Sequence, residues 1–187
     1  MDYLSEYLKK LEELFKKIDD KYKLIADFYG FTCENCLRNC CLTHFYHHTH
    51  IEYYYLISGF KNLSYEKQAE IKERAIEYCE LSDESQKSGE KLEKICPLNF
   101  DNLCILYSYR PMICRLHGIP HELAWKGMGK NILSPGCESF SYKYSDDNYI
   151  KFDRTPFYGE MANIEKIFKH FLNIEGKFKM TVAQMLV

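Results

Sequence analysis

No stretch of the 187-residue chain approaches the ~18 to 20 consecutive apolar residues that a membrane helix needs, so no membrane partner is expected. The opening MDYLSEYLKKLEELFKKIDDKY is charged throughout and leads to no small-residue cleavage site, so it does not read as a signal peptide. The expected compartment is the cytoplasm. An excess of either charge is also missing: Lys and Arg total 25 against 27 Asp and Glu, a net charge of −2 and a pI near 6.4. Without a basic face there is no charge argument for nucleic acid or anionic lipid. No glycine-rich nucleotide loop and no internal repeat is found. Prolines are few, and four of the five (Pro97, Pro111, Pro120 and Pro135) fall between residues 96 and 151, so helix breakers are concentrated in one region. With 46% hydrophobic and 16% aromatic residues, disorder is excluded and a packed globular chain is expected.

What the sequence does have is cysteine, nine in all, four of them within CENCLRNCC. In a reducing compartment such density points to a metal site or a catalytic group rather than a disulfide framework, and nine is an odd number.

Around the cysteines the pattern is helical. Leu4, Leu8, Leu11, Phe15, Ile18, Tyr22 and Ile25 alternate spacings of four and three, predicting an amphipathic helix over about residues 3–28 that stops at Gly30. Glu6–Lys10, Glu12–Lys16 and Glu13–Lys17 stand at favourable i,i+4 spacing on its outer face. Its seam suits either a homodimer or protein partner, or packing on its own domain, and Tyr7 and Leu14 widen the stripe as the second case requires. THFYHHTHIEYYYLIS predicts a buried helix over roughly 43–58, ended by Gly59. Ser64 caps a third helix running to about Leu81 through Ile71, Ala75 and Ile76, with SDESQKSGEK as the polar loop behind it. Thr155 with Pro156 opens a helix to about Leu172, striped by Met161, Ile164, Ile167, Phe168 and Phe171. Thr181 and Gln184 form a capping box for a last short helix.

The expected fold class is therefore mainly α, a small helical domain with an irregular, metal-stabilised cysteine-rich loop region. Residues 1–30 form the N-terminal amphipathic helix, 31–151 the cysteine-cluster domain, and 152–187 a C-terminal helical segment packing on it.

Cys33, Cys36 and Cys40 lie at i, i+3 and i+7, which gathers three sulfurs on one side of a helical or turn-like backbone. Cys41 then points about 100° away, so it joins Cys40 on one metal only if the backbone is irregular, and otherwise serves a second centre. Cys96, Cys104, Cys114 and Cys137 arrive singly from separate turns, giving four plus four. Cys79, at helical spacing from Ile71, Ala75 and Ile76, reads as a small core residue. Soft thiolates select zinc and iron-sulfur clusters alike, but zinc ribbons usually present paired C-x-x-C knuckles, and only Cys33 and Cys36 make such a pair. The spacing leans towards [4Fe-4S], with Zn2+ as the alternative, and bound metal would order a proline-broken segment that buries little apolar surface.

HFYHHTH would put His44 and His48 on one side of a helix, where they could bind a divalent ion directly or tune a cysteine centre by hydrogen bonding. His117 follows Cys114 by three residues and could donate to a thiolate, whereas His121 and His170 carry no such argument. Arg110 and Arg115 flank Cys114; they read either as offsets to the net −2 of a four-thiolate centre or as surface ion pairs.

CENCLRNCC, CPLNFDNLCILYSYRPMICRLHGIP and PGC together resemble the YkgJ-type cysteine-cluster family, a zinc- or iron-chelating domain, over about residues 31–140. The resemblance implies metal chelation and names no reaction. Flagellin lysine methylases look similar around their cysteine cluster, which adds weight to [4Fe-4S]. The chain departs from the commoner family pattern in having three residues between Cys36 and Cys40. Three functions remain: a metal or iron-sulfur protein with a structural, electron-transfer or sensing role; a small metalloenzyme with an open coordination site and His44, His48 or His117 as acid or base; and a zinc-stabilised interaction module. No catalytic residue follows from the sequence beyond these.

Overall fold

The computed structural model describes residues 3–32, 40–124, 131–143 and 149–187. In chain order its elements are α1 (Tyr3–Tyr29), α2 (His50–Phe60), α3 (Tyr65–Ser88), β1 (Asn99–Phe100), β2 (Leu103–Cys104), α4 (Met112–Leu116), β3 (His121–Ala124), β4 (Asn131–Ser134), α5 (Glu138–Lys143), α6 (Thr155–Phe171) and α7 (Val182–Leu186), with 3-10 turns at Cys40–Leu42 and Tyr107–Tyr109. The chain is mainly helical. Among the described residues no helix is long and apolar enough to cross a membrane.

It divides into two compact units, each made of two chain segments: Met1–Cys40 with Met112–Ile174, and Cys41–Pro111 with Glu175–Val187. The division falls elsewhere than at residues 30 and 151. It parts the C-terminal segment, giving α6 to the first unit and α7 to the second, and it runs between Cys40 and Cys41.

In the first unit α1 packs on α6 and α4. Leu11, Phe15, Ile18 and Ile25 of the seam are buried, as is Leu14 beside it, so the centre of the seam is occupied within its own unit. Tyr7 widens the contact by meeting Phe168 edge-on at 5.8 Å and Phe171 at 5.0 Å. Gly30 at φ +60° ends the helix, with the Phe31 N–H donating back to the Ala26 carbonyl. Lys10 meets Glu6 as expected, but Lys16 turns forward to Asp20 and Lys17 leaves the helix for Glu160 on α6. On α6, Met161, Ile164 and Phe168 face the core, while Ile167 and Phe171 remain 44% and 41% exposed. Arg154, not Thr155, stands at the cap position, and the Asp153 carboxylate accepts from the Thr155 N–H. β3 and β4 form an antiparallel hairpin from His121↔Ser134 to Ala124↔Asn131.

The second unit packs α3 and α2 against α7. Its core holds Leu56, Phe60, Ile71, Ala75, Tyr78, Leu98, Leu106 and the buried residues of α7, with Cys79, Cys96 and Cys104 packed against it. Ser64 caps α3 by accepting from the Lys67 N–H, and α7 opens on the Thr181–Gln184 capping box. Several expectations are corrected. Residues 43–49 are not helical: His47 exchanges backbone hydrogen bonds with Met180, and α2 starts only at His50. α3 continues through SDESQKS to Gly89 at φ +75°, because that polar run contains no breaker and helix formers need no buried face to extend a turn already made. Ile76 is half exposed, and Tyr78 takes the core position. The NFDN turn becomes a hairpin, since Asp101 (φ 50°) and Asn102 (φ 66°) both adopt the positive φ that a two-residue type I′ loop requires.

Gly59 does not end α2; it sits inside it, where a Cβ would meet the Tyr109 ring at 2.3 Å. Alanine normally gains about 1 kcal/mol over glycine within a helix. Here overpacking against a ring costs more, about 1–3 kcal/mol or above. Gly59→Ala should therefore lower the urea midpoint, whereas in a Tyr109→Ala background the same change should raise it. Urea denaturation of the four proteins of that cycle checks the sign reversal.

Candidate metal centre

The cysteines distribute unevenly over the two units. Cys33 and Cys36 lie outside the described residues; Cys40, Cys114 and Cys137 belong to the first unit, and Cys41, Cys79, Cys96 and Cys104 to the second. All seven described cysteines are partly buried and none is in a disulfide. Among the described residues no three His, Cys, Asp or Glu side chains stand as a ready ligand set.

In the second unit three thiols are tied together through the backbone. The Cys96 N–H donates to the Cys41 carbonyl at 2.8 Å, and the Asn99 N–H donates to the Cys96 carbonyl at 3.0 Å, closing a turn at the Cys-Pro step. The hairpin then sets Cys104 directly opposite Asn99. Burial pushes the Cys104 thiol up to about 11, while the Leu106 N–H and the Arg110 charge pull the other way and Cys41 adds to the upward push. The Cys104 sulfur is thus a partly buried thiol with a hydrogen-bond donor and a cation in reach, and burial outweighs both. Cys79 has different company: burial and then the Asp83 carboxylate raise it.

In the first unit Cys114 rides on α4, and a close backbone approach brings the Cys137 segment in beside the end of that helix. The Cys137 N–H donates to the Gly118 carbonyl at 2.8 Å. Gly118 (φ 130°) and Gly136 (φ 90°) both sit in glycine-favouring backbone, and a Cβ on Gly136 would stand 2.6 Å from the Gly118 oxygen. The Tyr22 hydroxyl pins the same loop by donating to the His117 carbonyl at 2.9 Å.

The arginines and histidines take varied places. Arg110 lies over the Tyr107 ring and donates to the Tyr107 carbonyl, within electrostatic reach of Cys104. Arg115 is buried against Phe15 and pairs with Asp19 at 2.5 Å, so α1 already supplies its counter-charge. His44 is hydrogen-bonded through Nδ1 to the Tyr78 hydroxyl at 3.1 Å. That hydroxyl is pushed up to about 12 by burial and, next, by the Cys96 and Cys79 thiols, so His44 borders the cysteines through Tyr78. His48 is exposed, and with no helix over 43–49 it does not share a helical side with His44.

Two buried groups escaped the sequence reading. Arg154 is 2% exposed; it donates to the Leu116 carbonyl at the end of α4, and its Nε has no partner among the described residues. Burial lowers it to about 10 against the pull of Tyr158, Tyr22 and Tyr149, and no described carboxylate forms an ion pair with it. Asn99 is 5% exposed and its Nδ2 likewise lacks a partner among the described residues. Neither carries a periodic or motif signal, since a residue's burial against irregular backbone leaves none.

No family model, curated protein or solved structure matches the chain.

His47 is 2% exposed, its Nε2 has no partner among the described residues, and burial lowers it to about 4; His121 falls to about 4 for the same first reason. Both bind a proton more readily in the unfolded chain, near 6.5, than in the folded one. Their stabilisation is complete above 6.5 and is lost as pH falls through 4. For His47 the loss is on the order of 3 kcal/mol, and less for the half-exposed His121 ring, which solvent screens. Urea midpoints measured from pH 7 to 4 should fall across this window, with a shallower slope in His47→Phe.

Proposed function

We propose that this chain is a metal-binding protein whose cysteines chelate an iron-sulfur cluster, [4Fe-4S], or zinc, with a structural, electron-transfer or sensing role. The observation that carries the reading is the Cys104 sulfur: a partly buried thiol with a backbone N–H on it and the Arg110 charge within electrostatic reach, set opposite Asn99, which is tied through the backbone to Cys96 and from there to Cys41. A proton satisfies such a site poorly, because the donor and the cation favour the anion while burial opposes it. A metal cation in place of the proton removes that conflict, since coordinated thiols are deprotonated.

The ligands in this reading are Cys33, Cys36, Cys40, Cys41, Cys96, Cys104, Cys114 and Cys137, and Cys79 stays outside. Supporting it are the all-thiol donor set, the motif resemblance to YkgJ-type cysteine-cluster proteins, and the loop-rich stretch whose order bound metal would reinforce. Arg110 beside Cys104 and buried Arg154 in the first unit are the cations available to offset thiolate charge. Bound metal supplies folding free energy, or a redox couple if it is a cluster. The preference for [4Fe-4S] rests on ligands arriving singly from separate turns rather than on paired knuckles.

Purification without air, followed by iron, acid-labile sulfide and zinc analysis of the wild type and nine single Cys→Ser variants, tests the assignment. Brown protein with matched iron and sulfide is expected, with full metal in Cys79→Ser and loss in Cys104→Ser. Colourless, fully folded protein carrying only stoichiometric zinc would overturn the cluster; metal lost from Cys79→Ser and kept in Cys104→Ser would overturn the ligand set.

A further inference from the structure

Cys41 and Cys96 are far apart in sequence and adjacent in the fold. Within the second unit the Cys96 N–H donates to the Cys41 carbonyl at 2.8 Å. A single N–H···O=C bond of that length leaves the two Cα atoms roughly 5–6 Å apart once the covalent bonds on either side are added. Disulfides span Cα separations of about 4.4–6.8 Å, so this pair lies inside the range that a bridge needs. The backbone at both positions is held: Cys41 sits in the 3-10 turn Cys40–Leu42, and the Cys96 carbonyl accepts from the Asn99 N–H. Both side chains are partly exposed and neither is in a disulfide, so a small oxidant can reach them. The other two thiols of the unit are poorer candidates. Burial raises Cys104 to about 11, and burial followed by the Asp83 carboxylate raises Cys79; a thiol that keeps its proton is a weak nucleophile.

Going beyond the metal-binding reading and without resting on it, we infer that Cys41 and Cys96 are a redox pair that closes to a disulfide by exchange with a small-molecule disulfide such as oxidised glutathione. One cysteine thiolate attacks the glutathione disulfide; its S–S bond breaks, a mixed disulfide forms and one glutathione leaves. The second cysteine thiolate then attacks the protein sulfur of the mixed disulfide, forming the Cys41–Cys96 bond and releasing the second glutathione. The chain gives up two electrons and two protons, and the two glutathione thiols receive them. The closed bond encloses α2 and α3 in one covalent loop. It also consumes two of the eight thiols proposed as ligands, so the oxidised chain and the fully metallated chain exclude each other. Disulfides of this transient kind are the ones a reducing compartment tolerates.

The test takes the intact chain, reduced and treated with chelator under argon and shown to be folded by a cooperative urea transition. It is equilibrated in glutathione buffers of rising disulfide content, quenched with acid, blocked with iodoacetamide and mapped by mass spectrometry of unreduced peptides. Cys41 and Cys96 should be joined to each other. Cys79→Ser and Cys104→Ser should leave the midpoint potential of that bond unchanged, whereas Cys41→Ser should leave Cys96 carrying a glutathione that no second sulfur displaces, and Cys96→Ser the converse. In the urea-unfolded chain near neighbours such as Cys33 and Cys36 should pair instead, because a short loop costs less entropy to close. A native map no different from the unfolded one overturns the inference. So does a main product joining either cysteine to another partner, or both thiols still reduced in excess glutathione disulfide. Metal content is read separately, so each of these results leaves the metal-binding reading to its own test.

Discussion

A sulfur withdrawn from solvent can be neutral or can be matched by positive charge, and Cys104 in the second unit is where the two conditions compete. Burial is the largest influence, and the thiol stands raised to about 11 with all its neighbours counted. Yet the chain turns the Leu106 N–H onto that sulfur and holds Arg110 within its field, arrangements that favour the anion. In the proposed metal-binding reading the same donor and cation would support a metal thiolate. The type I′ hairpin at Asp101 and Asn102 brings Cys104 back opposite Asn99, whose N–H bonds the Cys96 carbonyl.

The same logic of backbone first, sulfur second governs the first unit. Cys137 is placed by a main-chain bond to Gly118, where a Cβ on Gly136 would stand against the Gly118 carbonyl and a Cβ on Gly118 against the Tyr22 hydroxyl. Rigid α1 anchors the other side, through Tyr22 on the His117 carbonyl and Asp19 on Arg115. Arg154 adds a buried positive charge with no described carboxylate paired to it, next to the end of the helix that carries Cys114.

What could be read from sequence was local. The α1 stripe, the Gly30 stop, the Ser64 cap and the Thr181–Gln184 box each depend on residues within one or two turns of each other, and each stands where the pattern puts it. Residues 43–49 failed because their partner, Met180, lies more than a hundred positions away and no local pattern encodes that bridge. Gly59 failed for a similar reason: its meaning comes from the Tyr109 ring, not from its place in the helix. Of the candidate centre, the cysteines themselves were legible from composition and spacing. Their grouping was not, because the chain crosses from one unit to the other between Cys40 and Cys41, and adjacency in sequence carries no trace of it. Arg115 shows the converse, a residue whose neighbour in sequence is Cys114 but whose charge is engaged by Asp19.

The claim at the centre of this account is that sulfur, and not histidine nitrogen or carboxylate oxygen, holds a metal in this chain. Metal K-edge X-ray absorption on the intact protein purified without air reads the inner coordination shell directly. The account predicts a shell dominated by sulfur, at about 2.3 Å if the metal is zinc. A shell of nitrogen and oxygen alone, on protein that retains its full metal content, would contradict it.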